Sequence, residues 1–201
     1  GKSGVDSPQV LSISSSGNSS STFTTLHAGS PLVRPRHITA AADGTLYITD
    51  ASAGNTIWKL ASSGGPPTAL VSGTPFVDIQ GIVFANDALY VADTGGPSAG
   101  AIYKISLNAS PSAPIIALAG SSFLGGAGDQ RGTGVSVANG TLFVTGINQP
   151  ETGTGSDSSL LASFSVPPES TPTWTRAFGS GSMLGGVAAS SEGVYGAGTS
   201  Y

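Results

Sequence analysis

Residues 43–50 read DGTLYITD. A near copy, DALYVAD, ends at Asp93, and a third version, NGTLFVTG, ends at Gly146. An acidic turn closing a hydrophobic alternation suits a metal loop. It equally suits a hinge between two strands that recurs because the fold recurs. Extending the comparison favours the hinge. Aligned on the aromatic residue, the segments are TLYIT (45–49), ALYVA (88–92), TLFVT (141–145) and GVYGA (193–197). Their anchors, Tyr47, Tyr90, Phe143 and Tyr195, lie about 43, 53 and 52 residues apart, with the differences confined to Gly/Ser/Pro-rich stretches that absorb insertions.

Each anchor segment is preceded by a second short apolar stretch: HITAA from His37, GIVFA from Gly81, GVSVA from Gly134 and GVAAS from Gly186. Two more follow. After the first copy come NTIWKLASSGG and TALVSG, and after the second AIYKISLNAS and IIALAG. After the third, a Gly-rich connection over 146–159 leads to LLASFSVPP and TWTRAFG. Each repeat thus reads as four short strands, a to d, and a four-stranded antiparallel unit of 40–50 residues is the period of a β-propeller blade. Both faces of strand b are apolar, as a strand sandwiched between two blades requires. Leu46, Tyr47, Ile48, Leu89, Tyr90, Val91, Leu142, Phe143 and Val144 are therefore the expected interblade core.

The two ends of the sequence complement each other. QVLSISSSG (9–17) and FTTLHAG (23–29) match strands c and d, whereas GVAAS and GVYGA match a and b. The expected fold is an all-β, single-domain propeller of four blades over 1–201. Its blades span 31–73, 77–120 and 130–180, with a split blade made of 181–201 and 1–30. Pairing of the two halves within one chain gives a closed monomer and is the favoured expectation. The same pairing between molecules is the alternative, a homo-oligomer or filament by strand exchange.

Composition limits the function classes. Only 9% of the chain is charged, Ser alone outnumbers all charged residues, and Gly (30) and Pro (13) are abundant. This is the profile of a turn-rich β protein with an exported character, secreted or at the cell surface. A net charge of −4 with seven scattered basic residues argues against nucleic acid. No apolar run reaches the roughly 18 residues a membrane helix needs. Without an initiator Met or a signal-peptide pattern at Gly1, the sequence reads as a processed, trimmed or partial chain. Absence of cysteine removes disulfides, thiolate metal sites and Cys nucleophiles. Asn-x-Ser/Thr triplets at Asn18, Asn108 and Asn139 are candidate glycosylation sites, the second weakened by Pro111.

At PRHITAAADGTLYITDASAGNTIWKL (35–60) the chain resembles the NHL-repeat propellers and their six-bladed relatives. Those relatives include the SMP-30/gluconolactonase and streptogramin-lyase groups. The likeness is strongest in the first full blade and fades in the last two, where Gly146 and Gly198 stand at the position of Asp50 and Asp93. It implies an architecture that hosts binding modules and enzymes alike. Asp43-Gly44 then forms the a–b turn, and Asp50 and Asp93 cap a turn at the end of strand b. These two carboxylates are also the candidate ligands of a divalent cation such as calcium, but two equivalent glycines leave few carboxylates for a hard-cation cage.

A lactonase-like chemistry, as the resemblance implies it, requires a Glu on the first strand. Glu151, Glu169 and Glu192 all fall elsewhere. His37, at the start of a channel-lining strand a, is the one candidate catalytic base, although a lone His there is more often a polar channel residue. LGGAGDQRGTG (124–134) lacks the GK[ST] of a phosphate loop and reads as a d–a connection. Trp58, Tyr103 and Trp174, on outer strands, suit blade packing or carbohydrate stacking. The expected function is a non-catalytic structural or interaction module without a cofactor, with a protein or glycan as its partner. The alternative is a metal-dependent lactonase or lyase acting at the channel mouth.

Overall fold

The computed structural model describes residues 7–14, 22–52, 54–94, 100–108, 116–119, 129–149, 157–165 and 172–200. All secondary structure among them is β. Three four-stranded antiparallel meanders follow one another: β3(Pro35–Ala40) to β6(Thr68–Val71), β7(Ile79–Ala85) to β10(Ile116–Ala119), and β11(Asp129–Ala138) to β14(Trp174–Ser180). Within each, the strands pair in chain order, as the a-b-c-d reading expects. The tight a–b turns follow from residues that tolerate positive φ. Asn86 and Asp87 have φ of 49° and 56°, and Asn139 and Gly140 have 49° and 71°. At the first turn Gly44 has φ of 84°, and the Asp43 carboxylate accepts the Thr45 N–H at 2.9 Å.

The meanders pack face to face through their inner strands, β3 on β7, β7 on β11, and β11 on β15(Ser182–Ala189). Alternation along strand b divides its side chains between two interfaces. Ile48 and Leu60 face β1(Gln9–Ser12) and β2(Thr24–Ala28), together with Val10 and Leu26. Tyr47 and Ile57 face the second blade, against Ile82, Leu89 and Val91. Tyr90 and Ile102 in turn meet Leu142, Val144 and Phe164 of the third. Seven of the nine residues expected in this core are buried; Leu46 and Phe143 are half-buried. Those two face the outlying hairpins β1–β2 and β15–β16(Val194–Ser200), which cover less area than a full blade.

Inner strands approach most closely at glycine. A Cβ at Gly81 would sit 3.0 Å from the Gly134 Cα, and one at Gly134 would sit 3.1 Å from the Gly186 Cα. Hydroxyls stitch the same seams. Thr49 Oγ1 donates to the Gln80 carbonyl at 2.6 Å, Thr39 Oγ1 accepts the Phe84 N–H at 3.1 Å, and Ser136 Oγ accepts the Ala189 N–H at 3.0 Å.

Two expectations need revision. Both ends of the connection over 146–159 are strand: β12(Thr141–Gln149) and β13(Ser158–Ser165) extend their ladder to Asn148↔Ser158, and 150–156 lie outside the described residues. The two half-blades also form separate two-stranded sheets, β1–β2 and β15–β16, with no β16–β1 ladder among the described strands. The β15–β16 hairpin is held on the third blade. There Ser159 Oγ donates to the Ser182 carbonyl at 2.8 Å and accepts the Leu184 N–H at 2.6 Å.

Candidate functional site

The carboxylates that end strand b are wholly buried and engaged by backbone. Asp50 Oδ2 accepts the Val33 N–H at 2.7 Å, and its Oδ1 accepts the N–H groups of Arg34 and Ser52, each at 3.0 Å. Asp93 repeats the arrangement, taking the N–H groups of Val77 and Asp78 at 2.9 Å each. Each carboxylate therefore secures the segment that enters its own strand a, some sixteen residues earlier, and Asp50 also holds the turn that follows it. Charge-assisted bonds of this type are stronger than neutral ones. The opening motif is a hinge.

The segment so anchored is itself a repeat that the strand pattern did not reveal. Gly29-Ser30-Pro31-Leu32-Val33 and Gly73-Thr74-Pro75-Phe76-Val77 share a positive-φ glycine (81° and 77°) and a cis X-Pro bond. In both, a buried apolar residue donates its N–H back to the glycine carbonyl, Leu32 to Gly29 at 3.2 Å and Phe76 to Gly73 at 3.0 Å. Both valines are exposed. The signal was present as G-[ST]-P-apolar-V, and the chemistry behind it is that only glycine adopts that φ without strain. Where Asp gives way to Gly146, the backbone N–H groups are satisfied differently: β11 and β12 run on and pair as far as Asp129↔Gln149. Gly198 likewise lies inside the β15–β16 ladder, opposite Leu184.

Between the two anchored segments lies a shallow depression of about 440 Å³, bordered by Val33, Arg34, Ala51, Ser52, Asn55 and Val77. The Arg34 guanidinium donates to the Ala51 carbonyl and lies 3.4 Å from the Asp78 carboxylate. Asn55 Nδ2 donates to the Val77 carbonyl at 2.8 Å. The depression thus has apolar lips and a polar floor whose groups are already paired.

His37 lies elsewhere. Its backbone N–H donates to Thr49 Oγ1 at 3.1 Å, and the residue borders a groove of about 270 Å³ between β1 and β3, with Val10, Arg36, Ile38 and Ile48. The structure does not bring His37 together with Asp50 or Asp93 as one hydrogen-bonded set. Among the described residues, no group of three His, Cys, Asp or Glu is placed to hold a metal ion. Asn108 is exposed, Asn139 occupies the exposed β11–β12 turn, and Asn18 lies outside the described residues. Of the outer-strand aromatics, Tyr103 is buried edge-on against Phe76 and bonds the Pro75 carbonyl at 3.3 Å. Trp58 is half-buried against the first hairpin, and Trp174 is exposed beside Phe143. Burial raises the pKa of Tyr47, Tyr90 and Tyr103, and the Thr45 N–H lowers that of Asp43.

No helix among the described residues is long and apolar enough to cross a membrane. No family model matches the chain, and no curated protein does. Among solved structures, it is similar to a subtype N10 neuraminidase-like protein of A/little yellow-shouldered bat/Guatemala/060/2010. That similarity has a TM-score of 0.48 at 10% identity, over 76% of this chain and 47% of that one. The chain spans about half the length of that protein, and the blade assignment rests on the ladders and interfaces described above.

Proposed function

We propose that the chain is an exported, non-catalytic propeller module of the NHL-like kind, working by contact as a structural or interaction element. One observation carries this reading. The acidic residues of the repeated signature, which a metal-dependent lactonase or lyase would draw on, are committed as buried caps for backbone N–H groups. Recruiting Asp50 or Asp93 as a ligand would strip those donors of their acceptors, at about 1–3 kcal/mol for each buried group left unpaired. The surface offered for contact is the loop end around the Val33–Val77 depression, where apolar lips flank paired polar groups, a composition suited to a protein or glycan partner.

Calorimetric titration with Ca²⁺, Mg²⁺ and Zn²⁺ tests the reading. No stoichiometric binding at micromolar concentration is expected, and melting should not shift on adding the ions. Stoichiometric micromolar binding that Asp50→Asn abolishes would replace this reading with the metal-dependent enzyme.

A further inference from the structure

The groove between β1 and β3 has the form of a blade position from which the two inner strands are missing. β1 pairs with β2 on one side only among the described strands, so its inner edge presents free N–H and C=O groups. Val10, Ile38 and Ile48 line the groove beside that edge, with Arg36 and His37 at its border, and Ile38 is 46% exposed. In the next blade, the counterparts of Ile38 and Ile48 are Ile82 and Val91. Both are fully covered, in a cluster that includes Tyr47 and Ile57 of the preceding blade.

A matching surface stands on the β15–β16 hairpin. Tyr195, the counterpart of Tyr47 and Tyr90, is 59% exposed. Gly186, the counterpart of Gly81 and Gly134, has nothing within 4 Å of a built Cβ, whereas the other two abut the next inner strand. The outer edge of β16, unpaired among the described strands, completes the set. Farther out, Trp174 and Phe178 on β14 are exposed on the third blade, and Leu11 and Ile13 are exposed on or beside β1.

We infer that the β1–β3 groove is a strand-acceptor site for the β15–β16 hairpin of a second copy of this chain. The ladder β16–β1 forms across the contact and completes a four-stranded blade. The chain's own hairpin does not fill it: among the described strands no ladder joins β16 to β1, and the groove beside β3 stands open. Equivalence with the third blade sets the register. Leu142 pairs with Phe164 and Phe143 with Ser163, so Val194 meets Ile13 and Tyr195 meets Ser12. Tyr195 then covers Ile38, Gly186 lies against the His37–Ile38 backbone, and Leu11 and Ile13 reach the exposed Trp174 and Phe178. The contact is head-to-tail, so it closes as a ring or propagates as a filament. Main-chain pairing supplies affinity and the tyrosine pocket supplies specificity.

The chain contains no cysteine, which makes cross-linking clean. A Val194→Cys chain is mixed with an Ile13→Cys chain under mild oxidation. The expected product is a disulfide-linked heterodimer, absent when Ser62→Cys replaces Ile13→Cys. Sedimentation of the unmodified chain should show concentration-dependent association. Gly186→Val, whose added side chain meets open space in the single chain, should melt as the parent does yet weaken association at least about tenfold. A doubly substituted chain that cross-links only to itself at high dilution would establish intramolecular closure and overturn the inference. So would a mixture that fails to cross-link, or association that survives Gly186→Val unchanged. Because this names a partner for the interaction module proposed above, the two are tested separately. Failure here leaves the metal titration untouched, and a metal-binding result leaves the cross-link standing.

Discussion

The second blade and the β15–β16 hairpin carry the same two-strand pattern, GIVFA with ALYVA and GVAAS with GVYGA, yet they sit in opposite circumstances. Tyr90 is 1% exposed and Tyr195 is 59% exposed. A built Cβ at Gly81 strikes a neighbouring backbone, while one at Gly186 meets nothing. Asp93 caps the entry to its blade, and the equivalent Gly198 sits within the β15–β16 ladder, beside a register shift. Burial here is set by what stands on each side of a blade, more than by the blade's own sequence. A propeller strand is held by its neighbours, and a hairpin with a neighbour on one face alone keeps half of its apolar surface in water.

That contrast can be broken by substitution, and the largest expected effect is at the buried tyrosine. Tyr90→Ala should destabilise the chain by about 3–5 kcal/mol in a denaturant titration, from lost burial and the cavity left behind. A loss below about 1 kcal/mol would mean that Tyr90 is not packed between blades. Asp93→Ala comes next, at about 2–4 kcal/mol, because it removes two charge-assisted bonds and leaves the Val77 and Asp78 N–H groups without their acceptor. If it costs no more than an ordinary surface substitution, the capping account fails.

Alkaline titration should give a graded effect. Tyr47, Tyr90 and Tyr103 hold their protons more tightly when folded because burial disfavours the phenolate. Their contribution is present in full below the unfolded pKa of about 10. It is lost as pH rises through the higher folded values. Stability followed by fluorescence should therefore fall above pH 10, and a Tyr90→Phe variant should lose less over the same interval. Smaller again is the glycine pair. Gly81→Ala should cost about 1–3 kcal/mol from overpacking against Gly134 and Val135, whereas Gly186→Ala should be neutral within about 0.5 kcal/mol. Equal costs at the two positions would remove the distinction between an enclosed seam and an open one.

Much of the blade was legible because it is written locally. Alternation marks strand b, and Asp-Gly, Asn-Asp and Asn-Gly mark the a–b turns where positive φ is needed. The sequence marks the carboxylates as caps of the following turn. Their main partners, Val33 and Val77, lie well upstream, and a bond across that separation leaves no periodic trace. The ends of the Gly146–Ser159 stretch carry little apolar alternation, and the ladder at Gly146–Asn148 and Ser158–Ser159 needs only backbone groups. The arrangement of the half-blades is the least legible element. Complementary strand edges specify that β16 fits β1, and they do so equally within a molecule and between molecules.

The most direct test of the contrast is amide hydrogen exchange on β8(Ala88–Asp93) and β16, at a concentration where the chain sediments as a monomer. The β8 amides should exchange only through global unfolding, and the β16 amides through local opening of a hairpin packed on one face, with protection lower by at least about 100-fold. Equal protection in the two strands would contradict the account, because it would mean that β16 is enclosed by a neighbour in the single chain just as β8 is.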